Sequence, residues 1–331
     1  MMRKTVCATL AVMMSVLFSP LSQAGQAWES YKARFFKPEG RIVDTGNGGV
    51  SHTEGQGFAM LMAVANDDKA TFDKLWQWTN RELKNKENGL FYWRYNPAES
   101  NPVADKNNAA DGDVLIAWAL LKADARWHEK RYGAASDAIT KALVAHSVIR
   151  YAGYRVMLPG VQGFKLDGEA ILNPSYFVFP AWQAFAGRSH LPVWRDLIKD
   201  GKRLLGKMGS GKADLPADWV SLASDGKLEP AKSWPPRMSY DAIRIPLYLA
   251  WSDKQSPLLT PWKAWFGQFP REQTPAWVNV TTNEYAPYMM EGGLLAVRDL
   301  TMGQSSGEPE ITSKDDYYSA SLKMLAWISA Q

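Results

Sequence analysis

Three acidic positions combine a carboxylate with a setting that could hold it at a cleft: Glu54, Asp111 with Asp113, and Asp241. Each stands where a polar loop gives way to an apolar helical run, so a rigid helix end can fix the side chain. Two such carboxyls can cleave an acetal, one protonated at the leaving oxygen and the other ionised as base or nucleophile. Taken singly, each also has an ordinary structural explanation. Ser51 and Glu54 are spaced as a capping box, in which the carboxylate only satisfies a helix-end amide. Asp111 and Asp113 precede Val114-Leu-Ile-Ala-Trp118, the place of an N-cap. Asp241 lies one helical turn before Arg244, the spacing of a local ion pair.

Composition removes most other chemistries. The one cysteine, Cys7, falls inside an N-terminal segment with the order of an export signal: Arg3 and Lys4, an apolar run over 6–18, Pro20, then Ser22-Gln23-Ala24. Cleavage after Ala24 takes the cysteine away, which excludes disulfides, thiolate catalysis and cysteine-ligated metal from the mature chain. It also removes two cations and leaves the domain nearly neutral, with no membrane span. The four histidines, His52, His128, His146 and His190, have no metal-ligand spacing, and neither a metal nor another cofactor is implied. Thirty-eight basic against 34 acidic residues give no concentrated basic surface, so nucleic acid is not an expected partner. Fifteen tryptophans and 13 tyrosines exceed what a core of this size needs, and point to a groove that stacks on the apolar faces of sugars.

The elements that must position these residues are mostly helices. Apolar residues recur at helical spacing over 72–83, 114–125, 139–149, 194–205, 240–251, 294–302 and 319–328. Pro246 predicts a kink in the 240–251 helix or a start after it. Strand-like runs are short, at 155–158 and 171–179. Trp76, Trp118, Trp127 and Trp251 fall on helical apolar stripes and read as core, whereas Trp93 lies in a loop-side run and is a candidate for stacking on a ligand. No linker divides the chain, so the expected organisation is a signal peptide over 1–24 and one domain over 25–331.

Together, the segment 51–62, the segment 108–127 and Ser239-Tyr-Asp241-Ala-Ile-Arg244 resemble, in order and spacing, the motifs of glycoside hydrolase family 8. The likeness is greatest to endoglucanases of bacterial cellulose-synthesis operons and related exported minor endoglucanases. It runs from Trp28 through Asp315-Asp-Tyr-Tyr318, with one departure: Ala110 stands where the family has Ser or Thr. The resemblance implies an all-α fold, an (α/α)6 barrel of six inner and six outer helices with a substrate groove across one end. It implies that Glu54 is the general acid, that Asp241 is the base activating water with inversion, and that Asp111 orients sugar and water. By the same resemblance Arg244 stands beside the base, Tyr176 lies near the cleavage point, and Trp93, Tyr317 and Tyr318 are subsite aromatics. An inverting pair needs its carboxyls roughly 6.5 to 9.5 Å apart. Glu54 must also be held protonated by burial or by Asp111, with Arg244 favouring ionised Asp241.

The expected activity is an exported endo-β-1,4-glucanase, periplasmic or secreted, acting on cellulose chains. Xylan, mixed-linkage glucan and chitosan are the alternatives within the same family, and chitosan would call for extra acids in the groove. A non-catalytic glucan-binding subunit would not need all three carboxylates. A polysaccharide lyase would need a Tyr or His base and cations for a uronate. The expected partners are a β-1,4-glucan and a cellulose synthase complex, and a monomer is the default state.

Overall fold

Helical spacing of apolar residues accounts for most of the secondary structure in the computed structural model, which describes residues 25–305 and 307–331. The signal segment read over 1–24, Cys7 included, lies outside the described residues. Within them the chain forms α1 (Gln26–Phe35), α2 (Thr53–Ala65), α3 (Lys69–Glu82), α4 (Ala110–Trp127), α5 (Lys130–His146) and α6 (Phe179–Ser189). It continues through α7 (Pro192–Leu205), α8 (Arg244–Ser252), α9 (Thr260–Phe266), α10 (Gly292–Thr301) and α11 (Tyr317–Ala330). Helices α2, α4, α6, α8, α10 and α11 each touch the next, and α11 returns to α2, closing a six-membered inner ring. Outside it, α3 packs on α2, α5 on α4, α7 on α6, α9 on α10 and α1 on α11. This is the expected (α/α)6 barrel with five α-helices in the outer layer among the described residues. The described residues of the link between α10 and α11, which include Gly303, Gly307 and Pro309, form no helix, because these residues break helical hydrogen bonding.

Short antiparallel strands occupy the loops: β1 (Ser51–His52) pairs with β2 (Arg94–Tyr95), and β3 (Val148–Tyr151) with β4 (Tyr154–Met157). Strands β5 (Glu169–Leu172), β6 (Val220–Ala223) and β7 (Leu228–Pro230) form one sheet, and β8 (Arg237–Met238) pairs with β9 (Val278–Asn279). Three local expectations change. Helix α5 ends at His146, and Val148 and Ile149 join a hairpin whose turn, Ala152-Gly153, takes positive φ at both residues. The 171–179 run is strand only to Leu172. Asn173 then caps a 3-10 turn over Pro174–Tyr176 by accepting from the Ser175 amide, and Pro174 has no N–H for a ladder. Pro246 neither kinks α8 nor delays it: it is the third helical residue, where the amide has no intrahelical partner to lose.

The aromatic surplus is mostly core. Trp28, Trp182, Trp194 and Trp265 are fully buried, and Trp118 joins them, while Trp76, Trp127 and Trp251 pack against the core's edge. Composition therefore overstated the groove. The inner ring is tightest between α2 and α4, where a Cβ on Gly57 would stand 2.5 Å from the Leu115 Cβ. One on Gly112 would stand 2.1 Å from Thr53 Oγ1, so glycine at both positions sets the distance between the two helices. Among the described residues, no helix is long and apolar enough to cross a membrane.

Candidate active site

Helices α2 and α4 begin at the same end of the barrel, and each presents a carboxylate from its second residue. The start of α2 is fixed from outside. His52 is extended in β1, and the Thr53 amide donates to the Trp93 carbonyl at 3.0 Å. Ser51 Oγ donates to the Ile42 carbonyl at 2.5 Å and accepts from no helix amide, and α2 has no side-chain cap. The capping box is thus not formed, and Glu54 is free for another role. On α4 the N-cap is Ala109, again without a side-chain bond, so neither aspartate is the cap. Ala110, the departure from the family pattern, is buried and donates its amide to the Pro159 carbonyl. Asp113 accepts from the Phe91 amide at 2.9 Å and from Asn108 Nδ2 at 2.8 Å, which ties α4 to the run that carries Trp93.

Arg244, the first residue of α8, joins the three carboxylates. Its side chain is 4% exposed, and Nη1 lies 3.1 Å from Glu54 Oε2. Nη2 lies 3.2 Å from Asp241 Oδ1 and 3.7 Å from Asp111 Oδ2. The local Asp241–Arg244 pair therefore exists, but as one arm of a larger cluster. The guanidinium also donates to Tyr318 Oη at 2.9 Å and to Ser175 Oγ at 3.0 Å. Tyr318 in turn donates to the Tyr240 carbonyl. Asn173 Nδ2 donates to Asp241 Oδ2 at 3.2 Å, so the Asp241 carboxylate is gripped on both oxygens.

One buried cation cannot neutralise three carboxylates, and the titrations respond. Burial raises the Glu54 carboxyl above its ordinary range; Arg244 opposes this and Asp241 adds to it. Burial, then the charge of Glu54, raises Asp111 well above the usual aspartate value. The cluster holds at least one proton at a pH where free carboxylates have lost theirs.

All eight residues singled out in the sequence line one cleft of about 440 Å³: Glu54, Asp111, Asp241, Arg244, Trp93, Tyr176, Tyr317 and Tyr318. Their settings differ. Trp93 stacks on His52 with ring centroids 5.6 Å apart and planes 6° from parallel, and its indole N–H donates to Asp105 at 2.8 Å. Burial lowers the His52 pKa, so the supporting ring is neutral near pH 7. Tyr176 packs edge-on against Trp219, which is itself stacked between Phe164 and Trp234. Tyr317 is only 3% exposed and forms floor beneath the cleft rather than a free platform. Sequence reasoning missed Asp44, Tyr240 and Asp316, which also line the cleft. Asp316 lies inside the quoted Asp315-Asp-Tyr-Tyr318 segment, and Asp44 opens a Gly/Asn loop, yet neither position carries a pattern of its own. Asn173 was visible only as a neighbour of Tyr176. Among the described residues, no group of three or more His, Cys, Asp or Glu side chains is arranged to hold a metal ion.

Comparison with known proteins bears on the family and the fold. The model of the family described as glycosyl hydrolases family 8 matches residues 2–331. An endoglucanase of Cellulomonas uda is 62% identical over 300 residues, covering 91% of this chain and 84% of its own. Among solved structures, the family 8 endoglucanase Cel10 of Klebsiella pneumoniae superposes with a TM-score of 0.92 at 65% identity, covering 92% of this chain and 99% of its own. An endo-β-1,4-glucanase from an Achatina fulica gut metagenomic library gives 0.92 at 66% identity, covering 94% and 99%.

Proposed function

The chain belongs to glycosyl hydrolases family 8, and on that premise we propose that it is an inverting endo-β-1,4-glucanase with Glu54 as general acid and Asp241 as general base. The observation that carries the assignment is the shared guanidinium. Glu54 and Asp241 contact different terminal nitrogens of the planar Arg244 group, which keeps their oxygens no more than about 9 Å apart and lets both reach one glycosidic bond, while inversion is inferred from the family. The two carboxyls also differ in setting. Glu54 is raised by burial and suits the protonated role, while the Asp241 side chain is 32% exposed and reachable by water.

In the reaction Glu54 gives its proton to the glycosidic oxygen as the C–O bond breaks. Asp241 takes a proton from the water that attacks the anomeric carbon on the opposite face, and the product is an α-anomer. Asp111 orients the sugar and water from the floor, and Tyr176 flanks the cleavage point. Trp93 and Tyr318 serve the flanking sugars, with Tyr318 also fixing Arg244. Tyr317 supports the subsite from below.

Glu54→Gln and Asp241→Asn on a soluble β-1,4-glucan test the assignment. Each should lose about 10²-fold to 10⁴-fold in rate while staying folded, and NMR of the first product should show the α-anomer. A β-anomer, or an active Glu54→Gln enzyme, overturns it. The rate should fall as pH rises through the Glu54 titration, because the acid must hold its proton.

The substrate partner is a β-1,4-glucan, and a cellulose synthase complex is the assembly the enzyme would serve. Residues 1–24 act as an export signal and 25–331 as one monomeric catalytic domain, delivered to the periplasm or beyond. N-terminal sequencing of the exported protein should begin at Gly25.

A further inference from the structure

Asp241 sits in a turn just ahead of α8, and that turn is held by a residue from a distant segment. Asp218, in the link before β6, accepts from the Ser239 amide at 2.9 Å and from the Ala242 amide at 2.8 Å, both through Oδ1. Its Oδ2 accepts from the Ser239 hydroxyl. The Asp218 amide donates to the Arg237 carbonyl at 2.7 Å, so the clasp is anchored at its own base. One carboxylate thereby binds the chain on both sides of Asp241, two residues before it and one after. An ionised carboxylate is suited to this, since it accepts several bonds and donates none.

We propose that Asp218 is a positioning residue for the base: it fixes the turn that aims Asp241 at the attacking water. The proposal rests on the reading of Asp241 as the base. Burial, and then the charge of Asp241, pushes the Asp218 carboxyl itself up to about 6. The other charged or titratable groups felt together with Asp241 are Arg244, Glu54, Asp111, Tyr176 and Tyr318. Arg244 and the carboxylates already share one cluster, whereas Asp218 holds the Ser239 and Ala242 amides of the turn itself.

Asp218→Asn and Ser239→Ala, made in the full chain and assayed on a soluble β-1,4-glucan, test the proposal. The amide keeps the volume and one acceptor oxygen but removes the charge. Asp218→Asn should lower kcat by about tenfold with KM within about twofold, a split that a merely structural loss would not give. Ser239→Ala removes one of the three bonds, so kcat should fall only a few-fold. An Asp218→Asn enzyme with unchanged kcat overturns the proposal. So does one that loses only thermal stability, or changes only KM. If Asp218→Asn does not fold, an Ser239→Ala enzyme with wild-type kcat overturns the positioning role. Asp241→Asn, run in parallel, separates the two readings: its retention of activity would refute the base assignment itself.

Discussion

Substituting Gly112 by alanine asks whether the spacing of α2 and α4 sets the chemistry. Alanine is the better helix former by about 1 kcal/mol, so local propensity favours the change. The structure opposes it. The new Cβ would lie 2.1 Å from Thr53 Oγ1, 2.5 Å from Thr53 Cβ and 3.0 Å from the Glu54 amide nitrogen. Restoring ordinary contact distances requires the first turn of α2 to move by about 1 Å away from α4. Overpacking of this kind costs about 1 to 3 kcal/mol, largely offset by the helix preference, so the melting temperature should change little. The rate should change much more, because a misplacement of about 1 Å at a catalytic group costs on the order of 10²-fold. The assay is kcat/KM on a soluble β-1,4-glucan beside a thermal melt. Thr53→Gly provides the complement, since it removes both of the nearest atoms, and the Thr53 hydroxyl has no hydrogen-bond partner to lose. The double variant should recover most of the activity, a coupling that only a direct contact produces. A Gly112→Ala enzyme within about threefold of wild type, or a double variant that recovers nothing, refutes the reasoning.

Three other outcomes are expected. Arg244→Met leaves buried carboxylates without their cation; stability by denaturant titration should fall by about 3 to 5 kcal/mol and activity by at least 10²-fold, and unchanged stability would show that the cluster neutralises itself by protonation. Trp93→Ala should raise KM for cello-oligosaccharides by about tenfold with a smaller effect on kcat, and His52→Ala should move it the same way by less; equal KM values would remove Trp93 from the subsites. Burial pushes Asp113 up to about 7 against hydrogen bonds from Asn108 and Phe91. A carboxyl whose folded pKa lies above its unfolded value contributes full stability below about pH 4 and loses it as pH rises to about 7, at most about 4 kcal/mol. The stability curve of Asp113→Asn should be flatter across that window, and parallel curves would mean that Asp113 is ionised in the fold.

Periodic segments made α3, α4, α5, α7, α8, α10 and α11 legible, because a helix buried along one face writes its period into the sequence. Inner helix α6 was not among them, and its first residue, Phe179, fell in the strand-like run. Irregular elements write no such period. Apolar residues over 171–179 suit a strand and a 3-10 turn equally, and only Asn173 with Pro174 decides between them. Glu54 was ambiguous for a different reason. Whether Ser51 caps α2 or turns to Ile42 depends on where residue 42 lies, and nothing within the local sequence sets that. The three carboxylates could be found as motifs, yet their union on Arg244 is tertiary. Asp218 was invisible for the same reason, since its partners, Ser239 and Ala242, lie in a separate loop. Tryptophan count misled because indoles fill the core, while four of the aromatics lining the cleft are tyrosines.

The cleft holds five carboxyl groups, Asp44, Glu54, Asp111, Asp241 and Asp316, and Arg244 is the one lysine or arginine among its lining residues. Such a surface acts as a sieve for charged substituents on the polymer. A sugar carrying an anionic ether or ester meets repulsion at the scissile position, in a setting where water screens poorly. Hydrolysis of a modified glucan would then stop wherever decorated sugars interrupt the bare ones. The size of the limit fragments would record the spacing of the decoration along the chain, not its average amount. Two polymers with equal substitution, one blocky and one even, would leave this enzyme as different mixtures.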